Sequence, residues 1–257
     1  MLTAATVSGA TARFLIFQQT WQEAAEPGPP VQSLKMNPVD AVLFDYGMVL
    51  SGPPDPAAWQ RIRTITGLEE TPLHREYWAH RHDYDRGALT GEAFWHKAAA
   101  GAGIALTPQQ VAELLEADTD LWSQINRPML DWAQRLQRAG IRTGILSNIG
   151  DAMTDGLIKK YDWLNAFHHR TWSYALKLAK PELEIYKAAV EGLATPPANI
   201  LFIDDRAENV AAAQAAGMQA IQYTTHAAFE REMQKRGLGN LLLIGNEAAV
   251  SRAAADE

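Results

Sequence analysis

The sequence predicts an α/β fold, a Rossmann-like parallel sheet sandwiched by helices and carrying an inserted all-helical cap. Three observations predict it. Short β-rich runs alternate with stretches at helical spacing, which means parallel strands joined by right-handed crossovers. Three of the apolar runs end in polar or acidic residues: "AVLF" in Asp45, "TGIL" in Ser147 and Asn148, and "ILFI" in Asp204 and Asp205. Between the first two strands lies a segment from about Gly52 to Asn126, far longer than the roughly 30 residues of a β-α-β unit.

Taken in order, "AVLFDYG" reads as a strand, "MLDWAQRLQRAG" as a helix stopped at Gly140, and "IRTGILSN" as a strand again. "DAMTDGLIKKY" is helical, "FHHRTW" fits a short strand, and "PELEIYKAAVEGL" is a helix with proline in its first turn. "NILFIDD", "RAENVAAAQAAG" closed by Gly217, and "MQAIQY" complete the rhythm as strand, helix and strand. The long insertion offers no good strand. "PAAWQRIRTITGL" puts Trp59 and Ile62 on one face, and "TPQQVAELLEADTDLW" opens with Thr107 as N-cap and Pro108 in the first turn. The expected division is a core over residues 36–52 and 127–257, a helical cap over 53–126, and a poorly ordered extension over 1–35 with Met36 opening the domain proper.

Composition narrows the function. Hydrophobic residues at 47% and charged residues at 21% are ordinary for a globular chain. A formal net charge of −7 disfavours a general grip on nucleic acid or anionic lipid. With no cysteine, disulfides, thiolate nucleophiles and cysteine zinc sites are excluded. No apolar run approaches the roughly 18 to 20 residues of a membrane span, and the start lacks the pattern of a secretory signal, so a cytoplasmic location is expected. The partner expected is a small molecule.

In a parallel sheet, ligands bind at the carboxyl ends of the strands, so Asp45, Ser147, Asn148, Asp204 and Asp205 should converge on one edge. A carboxylate leaving an apolar strand needs a cation or hydrogen-bond donors, and adjacent acids such as Asp204 and Asp205 repel unless a cation joins them. Hard oxygen donors suit Mg²⁺. Asp205 is the first choice of ligand and Asp204 the second. Asn209, near the start of the following helix, would orient the ligands.

"FDYGMVL", "LSN", "KPELEIY" and "FIDDRAENV", in that order and each at a strand end or helix start, resemble the motifs of the haloacid dehalogenase-like hydrolase superfamily over nearly all the chain after Met36. The glycine variant of the first motif, with "DRGALTGEAFW" and "SYALKLAKPE", is similar to the branch holding sugar-phosphate phosphatases and the amino-terminal domains of some epoxide hydrolases. The resemblance implies a Mg²⁺-dependent phosphatase of a small phosphomonoester. Asp45 would be nucleophile and metal ligand, the Gly47 backbone carbonyl a further ligand, Ser147 and the Asn148 backbone donors to phosphate oxygens, and Lys180 the cation that binds phosphate and keeps Asp45 ionised. Lys177 competes with Lys180, but the lysine directly before proline fits the family spacing.

One position departs from the pattern. Most phosphatases of the family carry a second aspartate two residues after the nucleophile as general acid and base, and here that residue is Gly47. Asp55, His80, His82 and Asp83 are the substitutes the sequence offers. "REYWAHRHDYDRG" could line a substrate pocket or decorate a helix, and no third ligand supports a metal at His80, His82 and Asp83. Two rival readings stand beside the phosphatase: a phosphate-binding module that has lost turnover, and a metal-free 2-haloacid dehalogenase, which gains nothing from paired acids.

Overall fold

A computed structural model describes residues 38–245; the extension expected over residues 1–35 lies outside the described residues. Five strands, β1 (Ala41–Phe44), β2 (Arg142–Ser147), β3 (His169–Trp172), β4 (Ile200–Asp204) and β5 (Gln219–Gln222), form one sheet in the order β3-β2-β1-β4-β5. Every neighbouring pair is parallel. The chain therefore starts in the middle of the sheet, builds outwards through β2 and β3, and returns to the other side of β1 for β4 and β5. Such a reversal opens a crevice at the strand ends beside β1 and β4.

Period-two alternation distributes the strand side chains to two cores. Val42, Phe44, Ile145 and Ile203 pack with Trp132, Leu136 and Phe229 on one face. Ala41, Leu43, Leu146 and Phe202 pack with Ile185, Tyr186, Leu193 and Ala213 on the other. Each fully buried large side chain contributes about 1.5–3 kcal/mol.

Four helices fill the insertion: α1 (Pro56–Thr66), α2 (Glu70–Asp85), α3 (Gly91–Gly101) and α4 (Pro108–Leu121). They share a third core built on Ile62, Tyr77, Tyr84, Phe94, Trp95 and Leu114. Side-chain caps start three of them: Thr107, the cap expected from the sequence, forms a reciprocal capping box with Gln110 on α4, while Asp55 caps α1 and Thr90 caps α3. The insertion leaves and re-enters the core through paired segments, with a Ser51–Ile125 bridge and bonds from Gly52 N to Gln124 O (2.5 Å) and from Asn126 N to Leu50 O (3.0 Å).

The remaining helices lie in the crossovers and after β5: α5 (Arg127–Arg138), α6 (Asp151–Lys160), α7 (Ser173–Leu176), α8 (Leu183–Leu193), α9 (Ala207–Ala215), α10 (His226–Lys235) and α11 (Gly239–Leu243). One boundary differs from expectation. Helix α8 begins at Leu183, and Pro181 lies in the preceding loop. Glu182 stays extended because its carboxylate accepts from Ala179 N (3.1 Å) and pairs with Arg86 of the insertion.

Candidate active site

Asp45 sits one residue beyond β1, where its backbone N–H still donates to Ile203 O of β4 (2.8 Å). Its Oδ1 accepts from Tyr46 N (2.7 Å), the start of a tight turn over Tyr46–Leu50 that carries Gly47 and Met48 to the cavity rim. Lys180 Nζ lies 2.8 Å from Asp45 Oδ1 and 2.6 Å from Asp204 Oδ2, with its side chain 1% exposed. Burial opposes the lysine's charge, but the two carboxylates outweigh it and hold Lys180 above its ordinary value. Burial pushes the Asp45 carboxyl up, and Asp204 adds to this against the pull of Lys180.

The acids divide their work. Asp204 is wholly buried, with Oδ2 on Lys180 and Oδ1 accepting from Arg206 N and Asn209 Nδ2, both at 2.9 Å. Asp205 is half-buried and lines the cavity, its carboxyl raised by burial and by Asp204. Asp45, Asp204 and Asp205 each offer an oxygen within 4.8 Å of the others, which is the one such grouping of acids and histidines among the described residues. Three hard carboxylates so close, two of them raised by burial and mutual repulsion, fit a divalent cation with retained waters.

Ser147, at the end of β2, lines the cavity, and its hydroxyl has no protein partner among the described residues. The Asn148 side chain has a task the sequence did not reveal. It accepts from Lys180 N (2.8 Å) and donates to Lys180 O (3.0 Å), clamping the lysine loop to the end of β2. Asn209 holds Asp204, and its own carbonyl accepts from the Tyr186 hydroxyl (3.0 Å). Lys177 is exposed. At Gly47 a Cβ would meet no atom within 4 Å and φ is −63°, so neither space nor backbone demands glycine.

Of the substitutes for the missing aspartate, Asp55 is spent on capping α1 and on Gln124 (2.8 Å), His80 faces Glu76 (3.8 Å), and Asp83 faces Lys97 (3.7 Å). His82 is exposed and reaches the cavity. Sequence reading missed Arg81 and Asp85, which also line it. Leu73, Tyr77, Arg81 and Tyr84 are all buried on α2; an arginine on the apolar stripe of a helix was the available signal. The cavity, about 480 Å³, is walled on the insertion side by Trp78 and Trp122 and on the core side by Met48, Ile149 and Met153.

Comparison with known proteins agrees with this architecture. The chain is 25% identical over 200 residues to drimenol cyclase drtB of Aspergillus calidoustus, a match spanning 76% of this chain and 36% of that protein. It is 27% identical over 204 residues to sesquiterpene phosphatase astK of Aspergillus oryzae, covering 76% of this chain and 95% of the relative. In fold it is similar to the HAD family enzyme BT-2542 of Bacteroides thetaiotaomicron (TM-score 0.64, 21% identity, 77% of this chain and 99% of that one), an enzyme also solved with magnesium and inorganic phosphate (TM-score 0.60, 23% identity, 73% and 96%). Residues 39–217 match the model of the haloacid dehalogenase-like hydrolases, and the chain belongs to that family.

Proposed function

We propose that the chain is a Mg²⁺-dependent phosphatase acting on a small phosphomonoester through an aspartyl-phosphate on Asp45. The observation that carries this reading is the triad of carboxylate oxygens within 4.8 Å beside the buried Lys180, at the floor of a cavity. Asp45 and Asp205, with the Gly47 carbonyl, would hold the ion, and Asp204 would serve chiefly as the counter-charge of Lys180. When bound, Mg²⁺ supplies the positive charge that lets a phosphate dianion approach a carboxylate.

In the proposed reaction, Asp45 attacks phosphorus in line and the ester P–O bond breaks towards the alcohol. Lys180, held by Asn148 and Asp204, and the unpartnered Ser147 hydroxyl bind the equatorial oxygens as charge shifts onto them. Water then attacks the acyl phosphate, releasing phosphate and restoring Asp45. The helical insertion acts as a cap that limits water at the reacting centre.

The cavity walls favour an apolar alcohol over the sugar implied by the resemblance to sugar-phosphate phosphatases. Met48 and Trp78 are 38% and 44% exposed, among the most exposed large hydrophobic residues described, and both border the cavity. Exposed apolar surface at a site is expected where an apolar ligand covers it. The astK relative, named as a sesquiterpene phosphatase, agrees with this direction. A cytoplasmic location remains our proposal; among the described residues no helix is long and apolar enough to cross a membrane.

Hydrolysis of 4-nitrophenyl phosphate tests the reading. Activity should require Mg²⁺ and vanish in Asp45→Asn. Binding of phosphate without turnover would instead make the chain a phosphate-binding module. Halide release from 2-haloacids without metal would make it a dehalogenase.

A further inference from the structure

We propose that Asp85, at the last position of α2, is the general acid and base of the reaction, replacing the aspartate that Gly47 lacks. This rests on the phosphatase reading above and adds the residue that reading leaves missing.

Asp85 lines the same cavity as Asp45, Ser147 and Lys180, and its placement is fixed by bonds on both sides of it. Its backbone carbonyl accepts from Ser173 Oγ, which also accepts from Ile149 N (2.8 Å), tying the end of α2 to the loop carrying Ser147 and Asn148. The next residue, Arg86, pairs with Glu182, tying it to the loop carrying Lys180. The end of α2 is thus pinned to the two core segments that hold the phosphate site, and Arg81 orients the carboxylate from one turn back.

Charge counting gives it a proton to lend. Arg81 donates Nε to Asp85 Oδ1 (2.8 Å), while its Nη1 faces Asp118 (3.3 Å) and the Tyr77 hydroxyl. One guanidinium therefore faces two carboxylates. Asp118 is 2% exposed and also accepts from Tyr77 (2.7 Å), so the one guanidinium charge is shared and cannot offset both acids in full. Of the two acids Asp85 is the one that lines the cavity, 16% exposed, with Oδ2 unengaged among the described residues. The charged groups facing it are Arg81 on its own helix, Asp118 from α4 and Lys180 from the loop before α8. Burial, opposed by Arg81, pushes the carboxyl up to about 6, where an acid is protonated often enough to donate and basic enough to take a proton back.

As Asp45 attacks, the protonated Asp85 gives its proton to the ester oxygen, so the breaking P–O bond releases a neutral alcohol. The resulting carboxylate then takes a proton from the water that attacks phosphorus. Phosphate leaves, Asp45 is freed, and Asp85 is protonated again.

The test compares an alkyl phosphate, whose leaving group needs a proton, with 4-nitrophenyl phosphate, whose leaving group does not. In the wild type the alkyl-to-aryl ratio of kcat/KM, which reads transfer to Asp45 and not the later water attack that both esters share, should fall about tenfold per pH unit above about 6, since the acid form is lost at that rate. Asp85→Asn keeps the shape facing Arg81 and should lower the ratio by about 10² or more while removing its pH dependence. Equal losses in kcat/KM on both esters would reduce Asp85 to a positioning residue and overturn the proposal, as would a pH limb that persists in Asp85→Asn or a ratio that collapses in His82→Gln instead. The wild-type profile decides even if the variant fails to fold. Inactivity of the wild type on the aryl ester would overturn the phosphatase reading itself, and the assignment of Asp85 with it.

Discussion

Replacing Lys180 by methionine keeps an unbranched stem and removes the ammonium between Asp45 and Asp204. The two contacts are 2.8 and 2.6 Å long and the lysine side chain is 1% exposed, so water cannot replace the lost charge. Removing one partner of a buried ion pair costs about 3–5 kcal/mol, because a charge remains uncompensated; here two carboxylates remain, with Asp205 as a third nearby. At an effective dielectric of about 20, two unit charges about 4 Å apart repel by about 4 kcal/mol, which gives the same scale. For a chain of this size each kcal/mol moves the unfolding midpoint by about 2–4 °C, so Lys180→Met should lower it by about 6–20 °C in metal-free buffer. The penalty has a sign with pH. Protonating the stranded carboxylates relieves it, so the gap from wild type should narrow as pH falls towards 4, and Mg²⁺ should narrow it at neutral pH by substituting a cation. Thermal unfolding followed by circular dichroism measures this. A shift under about 1 °C at pH 7 without metal would refute the claim that the ammonium neutralises these acids.

Three further outcomes follow from the same geometry. Asp205→Asn should raise the Mg²⁺ concentration for half-maximal activity with little change in unfolding midpoint, whereas Asp204→Asn, losing the counter-charge of Lys180, should lower the midpoint; metal titration and thermal unfolding of both variants separate the two roles. Trp78→Ala removes an aromatic cavity wall exposed to any ligand and should raise KM for an apolar phosphate ester about tenfold or more, the value of roughly 1.4 kcal/mol of lost contact, with KM for a hexose phosphate nearly unchanged. Gly150→Ala would drive a methyl into the ring of Tyr84, whose hydroxyl accepts from Met153 N at 3.1 Å; overpacking of this kind costs about 1–3 kcal/mol, read as a lowered midpoint in denaturant.

The sheet was legible because its strands are buried on both faces and end in polar residues; β1 and β4 read as unbroken apolar runs, and the carboxyl-end rule brought Asp45, Ser147, Asp204 and Asp205 to one edge. Edge strand β3 was harder, since His169 and Arg170 are only half-buried and dilute the pattern. The start of α8 was misplaced because proline favours a first helical turn, while in the structure Glu182 is held extended by Ala179 and Arg86, contacts no local rule contains. The same limit hid the Asn148 clamp, whose partner Lys180 lies on another crossover.

Asp85 illustrates why the acid could not be read from sequence. A general acid two residues after the nucleophile announces itself by spacing, because both groups leave one strand on one turn. An acid delivered by the insertion has no fixed spacing to Asp45; its proton affinity arises from Arg81 one turn back, Asp118 on α4 and Lys180 beyond β3. Placing it there has a mechanical consequence. With the aspartate on the core, the acid would stand beside phosphorus whether or not the insertion is seated. With Asp85, the acid is in position only while Ser173 holds the end of α2 and Glu182 holds Arg86. On the proposed assignment, protonation of the leaving group would then depend on the insertion being docked, and an ester that leaves it unseated would lose that proton.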